Sequence, residues 1–308
     1  MTYPSLPEEV PILHTRFRII TPMFIHGIYP QKAELRLPSV KGCLRFWFRA
    51  IHPGYFVQTD QRRKAPTLEE MIFGSAQHGQ SRFLMHLPKH SLRHVPYFEP
   101  RRGTCSFFVV KGVSKHYFLP GQSFSLSFAF RPEENQLRMK QVYQAVIAST
   151  WLLGNIGGLG SHTRRSYGSL LLEEWQSDDH SISKWTSSLP MLHSVSTLEE
   201  WKTQFHNGIK TIRSWFPPPK QAVPHVKDFP NTRLDQEARL YFQANLFDSE
   251  EAARKAGERV LHAFANSRSD DQSHRFVLGL LMYFRGRQVN ATAPKDFKSA
   301  HAKNLFEA

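Results

Sequence analysis

Apolar side chains recur along the first half of the chain with two periods, two residues and roughly 3.6 residues, and successive segments alternate between them. In HTRFRII (14–20), Phe17 and Ile19 share one face and Arg16 and Arg18 the other, the alternation of a half-buried strand that Thr21-Pro22 ends. SVKGCLRFWFRAI (39–51) follows a proline and switches to a helical period. FLMHL (83–87), CSFFVV (105–110) and FSLSFAF (124–130) are rich in aromatic or β-branched residues, are bounded by turn residues and read as strands. LRMKQVYQAVIASTWLL (137–153) lacks Gly and Pro and is spaced as a helix; a glycine-rich stretch follows, then LLLEEW, an apolar run read as a strand. Strand, helix, strands, helix, strand is the order of a β-α-β-β-α-β unit. The expected class is therefore α+β, a ferredoxin-like (RRM-like) domain with insertions whose antiparallel sheet carries two helices on one face.

Residues 176–192, with a Ser/Asp/His cluster, read as a linker between domains at 1–176 and 193–308. The second part is mostly helical in pattern. TLEEWKTQFHNGIKTIRSWF (197–216) precedes the break PPPKQAVP, RLYFQANLF (239–247) is spaced as a strand, and SEEAARKAGERVLHAFANS (249–267) is a helix with an acidic first turn. RFVLGLLMYFRGR (275–287) is apolar, then basic. The N-terminal MTYPSLPEEVPIL has three prolines and two acids, wrong for a signal peptide, and no apolar run approaches the roughly 20 residues of a membrane span. Two cysteines, Cys43 and Cys105, are too few for a disulfide framework or paired metal ligands. The expectation is a cytoplasmic chain without metal or cofactor.

Charge changes the picture. Forty Lys and Arg face twenty-six Asp and Glu in 308 residues, a net +14, with a pI near 9.9. Such a surplus favours a polyanionic partner, because neutralising phosphates releases condensed counterions. Two segments concentrate it. On a helix, Val40, Leu44, Trp47 and Ile51 fall within roughly 60° of one another as a core stripe, while Lys41, Arg45 and Arg49 form a second stripe, with His52 among them. Like charges four residues apart repel. The row is either a phosphate-tracking surface or a solvated face whose acids come from a neighbouring element. Gly42 either permits close approach of a backbone or marks a helix that begins one turn later. Trp47 and Phe48 are expected in the core, with Phe46 the more exposed ring.

The second segment is GNIGGLGSHTRRSYGSL (154–170), where Gly154, Gly157, Gly158, Gly160 and Gly168 fall within fifteen residues, interleaved with Ser161, Thr163, Arg164 and Arg165. Glycines expose N–H groups that can form anion-binding nests, so the loop reads as a cradle for phosphate or sugar, or as a tight helix-to-strand turn bearing surface cations. Its helix-glycines-strand order excludes a dinucleotide fingerprint, and the absence of Gly-Lys-Ser/Thr excludes a P-loop.

PSVKGCLRFWFRA (38–50), EEMIFGSA (69–76) and GGLGSHTRRSYGSL (157–170) resemble the RAMP superfamily of CRISPR–Cas proteins, and within it the first-numbered Cmr subunit of type III-B RNA-targeting complexes. The resemblance implies two ferredoxin-like domains and assembly with other Cmr subunits around a guide RNA, near its 3′ region, where the subunit helps capture single-stranded target RNA. It assigns target cleavage and signal synthesis to other subunits, and carries RNA binding onto Lys41, Arg45, Arg49, Arg164 and Arg165, with Gly157, Gly158, Gly160 and Ser161 in the loop. The second domain departs from the pattern: LGLL (278–281) matches only the start of the expected closing strand, so that unit is partial or degenerate. His26 in MFIHG also lies outside the family pattern.

Three functional readings stand at this point. A non-catalytic RNA binder uses the two basic segments. A metal-independent repeat-processing endoribonuclease needs a base and an acid, for which His26 and His162 are the candidates. A protein-only adaptor buries the basic stripes against acidic neighbours. A metal-dependent nuclease is disfavoured, since Asp178 and Asp179 lie in the expected linker and no carboxylate pair stands near either basic segment.

Overall fold

The alternation near the N-terminus resolves into β1 (Ile12–Ile19), which buries Leu13, Thr15, Phe17 and Ile19 and turns His14, Arg16 and Arg18 outward. The computed structural model describes residues 10–29, 31–52, 66–97, 115–161, 163 and 167–217, single positions at 234, 249, 252, 253 and 256, and two short strands near the C-terminus. After β1 come α1 (Leu37–Ile51), α2 (Leu68–Phe73), β2 (Phe83–His86), β3 (His94–Pro96), β4 (His116–Phe118), β5 (Ser123–Phe130), α3 (Gln136–Asn155) and β6 (Leu170–Gln176). Helices α4 (His180–Thr186) and α5 (Leu198–Trp215) follow, then the two-residue strands β7 (Tyr283–Phe284) and β8 (Arg287–Gln288). The strand expected at 105–110, the elements expected at 239–247 and most of 249–267 lie outside the described residues.

The main sheet has the order β2-β5-β1-β6, every neighbour antiparallel. With α1 between β1 and β2, and α3 between β5 and β6, this is the expected ferredoxin-like connectivity; α2 and the β3–β4 hairpin are its insertions. One face holds the core: Leu13, Phe17 and Ile19 of β1, Phe124, Leu126, Phe128 and Phe130 of β5, and Leu170 and Leu172 of β6, all nearly inaccessible. Thr15, on the same face, satisfies its hydroxyl by donating to the Leu126 carbonyl at 2.8 Å. A register shift between Arg16 and Phe17 leaves Glu173 as an extra residue on β6. Glu173 then meets Arg16 and Arg18 at 3.3 and 3.4 Å on the outer face.

α1 starts at Leu37, with Pro38 in its first turn, where a missing N–H breaks no helical bond. It lays Val40, Leu44, Trp47, Phe48 and Ile51 into the core, as the stripe predicts. Gly42 is therefore interior to the helix rather than before it. α3 is buried almost all round, Gln144, Ser149 and Thr150 included, because the sheet, α1, α4 and α5 all pack on it.

The expected linker is folded instead. Asp179 caps α4, its carboxylate accepting the Ile182 N–H at 3.1 Å, and Ile182, Leu189 and Leu192 enter the same core. Trp151 of α3 donates its indole N–H to the Pro190 carbonyl at 2.7 Å and stacks on Phe205 of α5 at 5.2 Å. Gly208 is where α5 approaches closest, since a Cβ there would sit 2.5 Å from the Trp151 ring. The polar composition of 176–192 misled because its few apolar residues are spaced for burial on α3, a surface visible only in three dimensions.

His52, counted with the cations from sequence, ends α1 stacked on Phe48 and edge-on to Phe216. Burial pushes its imidazole down to about 4, against a smaller opposing pull from Glu69. It is neutral at pH 7 and forms no part of a cationic row. Because the folded protein holds this proton more weakly than the unfolded chain, His52 supports the fold fully above about pH 6.5. That support, at most about 3 kcal/mol, is lost as pH falls toward 4. Thermal melts from pH 7 to 4 should show His52→Phe, which keeps the ring stack, losing less stability than the unsubstituted chain.

Candidate nucleic-acid interface

The basic row on α1 meets a carboxylate from the next element. Thr67 caps α2 by accepting the Glu70 N–H at 3.0 Å, and the Glu70 carboxylate accepts the Thr67 N–H at 2.7 Å. This fixes the first turn of α2 so that Glu69, only 5% exposed, faces α1. Arg49 donates to both Glu69 oxygens, at 2.9 and 2.7 Å, and Arg45 Nε lies 3.5 Å from one of them. Arg45 Nη2 donates to the Gly74 carbonyl. Gly74 has φ +79°, and a Cβ there would come within 2.6 Å of the Ser81 nitrogen, so the turn admits only glycine. Lys41 donates to Ser81 Oγ at 2.9 Å and lies over the Phe83 ring. The row is thus not a bare phosphate track. The solvated alternative weighed from sequence holds for Arg45 and Arg49, with one difference: their acid is buried. Among the described residues Lys41 has no carboxylate, and Arg45 and Arg49 keep 29% and 34% of their side-chain surface exposed.

The described part of the glycine loop is built for close packing. A Cβ at Gly157 would stand 2.7 Å from Trp47 Nε1, and at Gly158 2.6 Å from the Gly168 carbonyl oxygen. Gly160, at φ +93°, leaves no space before the Phe24 carbonyl, and Gly168, at φ +64°, none before that of Leu159. Three amides of the loop are engaged by backbone: the N–H groups of Leu159, Ser161 and Gly168 donate to the carbonyls of Gly168, Phe24 and Pro22. The Ser161 hydroxyl also donates to Phe24, at 3.2 Å. Arg164, Arg165 and His162 lie outside the described residues. The loop touches α1 at Trp47, which at 100° per residue lies about 160° around the helix from Arg45.

His26 sits beside the β3–β4 hairpin, its Nε2 donating to the His116 carbonyl at 2.6 Å. Burial lowers its pKa; the backbone bond opposes this, and Lys115 and His116 add to it. With Nε2 engaged by backbone, only Nδ1 is left for proton transfer. His116 in turn meets His94, Nδ1 to Nδ1, at 2.9 Å. Asp179 is engaged as a helix cap. Among the described residues, no three His, Cys, Asp or Glu side chains are grouped to hold a metal ion. No described helix is long and apolar enough to cross a membrane. Burial pushes the Cys43 thiol up to about 11, so it is a core thiol rather than a nucleophile.

Sequence reading singled out the cations and missed their acid. The signal was present in EEMIFGSA, two acids opening a short helix, but not the direction in which that helix packs. Removing the Glu69 charge leaves two guanidiniums facing each other. Glu69→Gln should lower stability by about 2 kcal/mol in chemical denaturation, less than a fully buried pair would lose because the arginines are partly hydrated. Glu70→Gln, which keeps a capping side chain at the same position, should cost less.

The chain is similar to known proteins in sequence and in structure. Over 180 aligned residues the chain is 29% identical to the CRISPR system Cmr subunit Cmr1-2 of Pyrococcus furiosus, covering 50% of this chain and 91% of that protein. It is 28% identical over 144 residues to Cmr1-1 of the same organism, covering 44% of this chain and only 40% of that longer relative. A crystal structure of Cmr1 from P. furiosus in its apo form superposes with a TM-score of 0.48 at 19% identity, over 93% of this chain and 80% of that one. A type III-B Cmr-beta complex bound to cognate target RNA contains a chain that matches with a TM-score of 0.46 at 15% identity, over 66% of this chain and 62% of that one. Residues 16–171, β1 through the glycine loop into β6, match the family model of the RAMP superfamily, and the chain belongs to that family.

Proposed function

We propose that this chain is a non-catalytic RNA-binding subunit of a type III-B CRISPR (Cmr) effector complex. In this reading it contacts the 3′ region of the guide RNA and helps capture single-stranded target RNA alongside other Cmr subunits. The observation that carries the proposal is the α1 row: three cations on one helix, with Glu69 the acid that Arg45 and Arg49 share and no acid on Lys41 among the described residues. The names of the curated relatives support the assembly, and the net charge of +14 supports a polyanionic partner. Pinning by Glu69 does not remove this role. It fixes two partly exposed guanidiniums, which then lose little further side-chain freedom on meeting a phosphate.

Gly42 fits the same role. It lies in the middle of α1, exposed, where a Cβ would meet nothing within 4 Å. Helix propensity disfavours it by about 1 kcal/mol relative to alanine, and no packing contact requires it. A bare stretch of helix beside Lys41 lets a ribose-phosphate strand lie close. Gly42→Ala should therefore raise stability by about 0.5–1 kcal/mol while weakening RNA binding.

One observation favours the adaptor reading, namely that Arg45 and Arg49 already have a carboxylate. RNA binding against salt separates the two in the assembled complex. Lys41→Ala should weaken binding to unrelated RNA sequences alike and flatten the slope of log affinity against log salt by about 0.7, the value for one single-strand phosphate. An unchanged slope, with no cross-link from RNA to residues 41–49, would assign the row to structure and the chain to an adaptor role. Cleavage of repeat RNA by the purified chain without metal, abolished by His26→Ala, would establish the enzyme reading in its place.

A further inference from the structure

The end of β5 brings a cation to α1 from ninety positions further along the chain. Phe83 of β2 pairs with Phe130 of β5, and the ladder continues one step, the Arg131 N–H donating to the Arg82 carbonyl at 2.9 Å. Arg131 therefore stands across from Arg82, and its side chain reaches Gln80, the residue before Ser81, which holds the Lys41 ammonium. Ser81 Oγ accepts from Lys41 at 2.9 Å and donates to the Phe83 carbonyl at 2.7 Å, so its hydroxyl is fully directed and fixes the lysine. Arg131 is steadied by donating to the Gln80 side-chain oxygen.

Neighbouring cations differ in one respect. Arg45 and Arg49 have Glu69, Arg82 has Glu133 at 3.3 Å, and Arg16 and Arg18 have Glu173. Lys41 and Arg131 have no ion-pair partner among the described residues. Two cations from different elements, both half-buried, are oriented by the neutral side chains of two consecutive residues, Gln80 and Ser81, with no acid paired to either among the described residues. The Lys41 pKa is lowered, first by burial and then by Arg45 and Arg131, which places both guanidiniums within electrostatic reach of the amine.

We propose that Lys41 and Arg131 together seat a single backbone phosphate of single-stranded RNA, with Ser81 and Gln80 as positioning residues. The proposal rests on the RNA-binding reading above and adds a residue outside both basic motifs. A phosphodiester suits the seat because its single negative charge relieves the repulsion between the two cations. Its two unesterified oxygens accept from an ammonium and a guanidinium at once. The Phe83 ring beneath the lysine excludes water from one side and strengthens the contact.

The test uses the full chain, alone and in its assembled complex, with fluorescently labelled single-stranded RNA across a salt series. Arg131→Ala and Lys41→Ala should each weaken binding several-fold and each flatten the salt slope by about 0.7. Because both groups hold one phosphate, the double variant should lose little more than either single one, and Arg131→Lys should recover much of the slope. Melting temperatures confirm that the variants are folded. If Lys41→Ala weakens binding and Arg131→Ala leaves affinity and slope unchanged, or if the two losses simply add, the shared seat is overturned while the RNA-binding reading stands. If the unsubstituted chain binds no RNA in either form, both fall. Titration with inorganic phosphate, followed at the Lys41 side-chain nitrogen by NMR, distinguishes the source. Saturation by phosphate as tight as by RNA would reassign the seat to a free anion and overturn it.

Discussion

The buried carboxylate of Glu69 organises the basic side of this molecule. A helix carrying cations at four-residue intervals repels itself, and a carboxylate removed from water needs charged partners to stay ionised. Each solves the difficulty of the other. The capping box at Thr67 and Glu70 turns Glu69 toward α1, Arg49 takes both its oxygens, and Arg45 bridges to the same group and to the Gly74 carbonyl. α2, an insertion in the β-α-β-β-α-β plan, is thereby fastened to the fold by electrostatics as well as by Ile72 and Phe73 in the core. What is left uncompensated is set by this one acid: charge at the Lys41 end of the row, where Arg131 joins it.

Two glycine arrangements govern how closely the layers approach. In the loop before β6, Gly157, Gly158, Gly160 and Gly168 let backbone pass against Trp47, the Phe24 carbonyl and the loop itself, with φ values that side chains resist at Gly160 and Gly168. Such packing engages the amides of Leu159, Ser161 and Gly168 with backbone carbonyls. Gly42 is the opposite kind of glycine, with empty space around it and a helix that would be more stable without it. The proposed RNA contact would use that open space.

Membership of the RAMP superfamily and the charge geometry both support the proposed ribonucleoprotein role. The geometry narrows what that role uses. Arg16 and Arg18 on the outer sheet face share Glu173, and Asp179 is committed to a helix cap. His26 is tied to a backbone carbonyl. The cations with most to gain from a phosphate are those at the junction of α1, the start of β2 and the end of β5.

Much of the fold was legible in the chain itself. The two-residue alternation of β1, the dense aromatic alternation of β5 and the apolar stripe of α1 are local patterns, and local patterns survive in sequence because each side chain's direction follows from the backbone period. Trp47 and Phe48 could be placed in the core, and the ferredoxin-like order could be read, for that reason. The tertiary structure decided everything that depends on which surfaces meet. It paired Glu69 with Arg45 and Arg49 across some twenty residues, folded 176–192 onto α3 through Ile182 and Leu192, and took His52 out of the cationic row by burying it against Phe48 and Phe216. It also carried Arg131 to Lys41 through a strand register. Charge composition and helical phase state how many cations a face carries; only packing states which of them already has an acid, because ion pairing depends on distance in space and sequence separation does not set that distance.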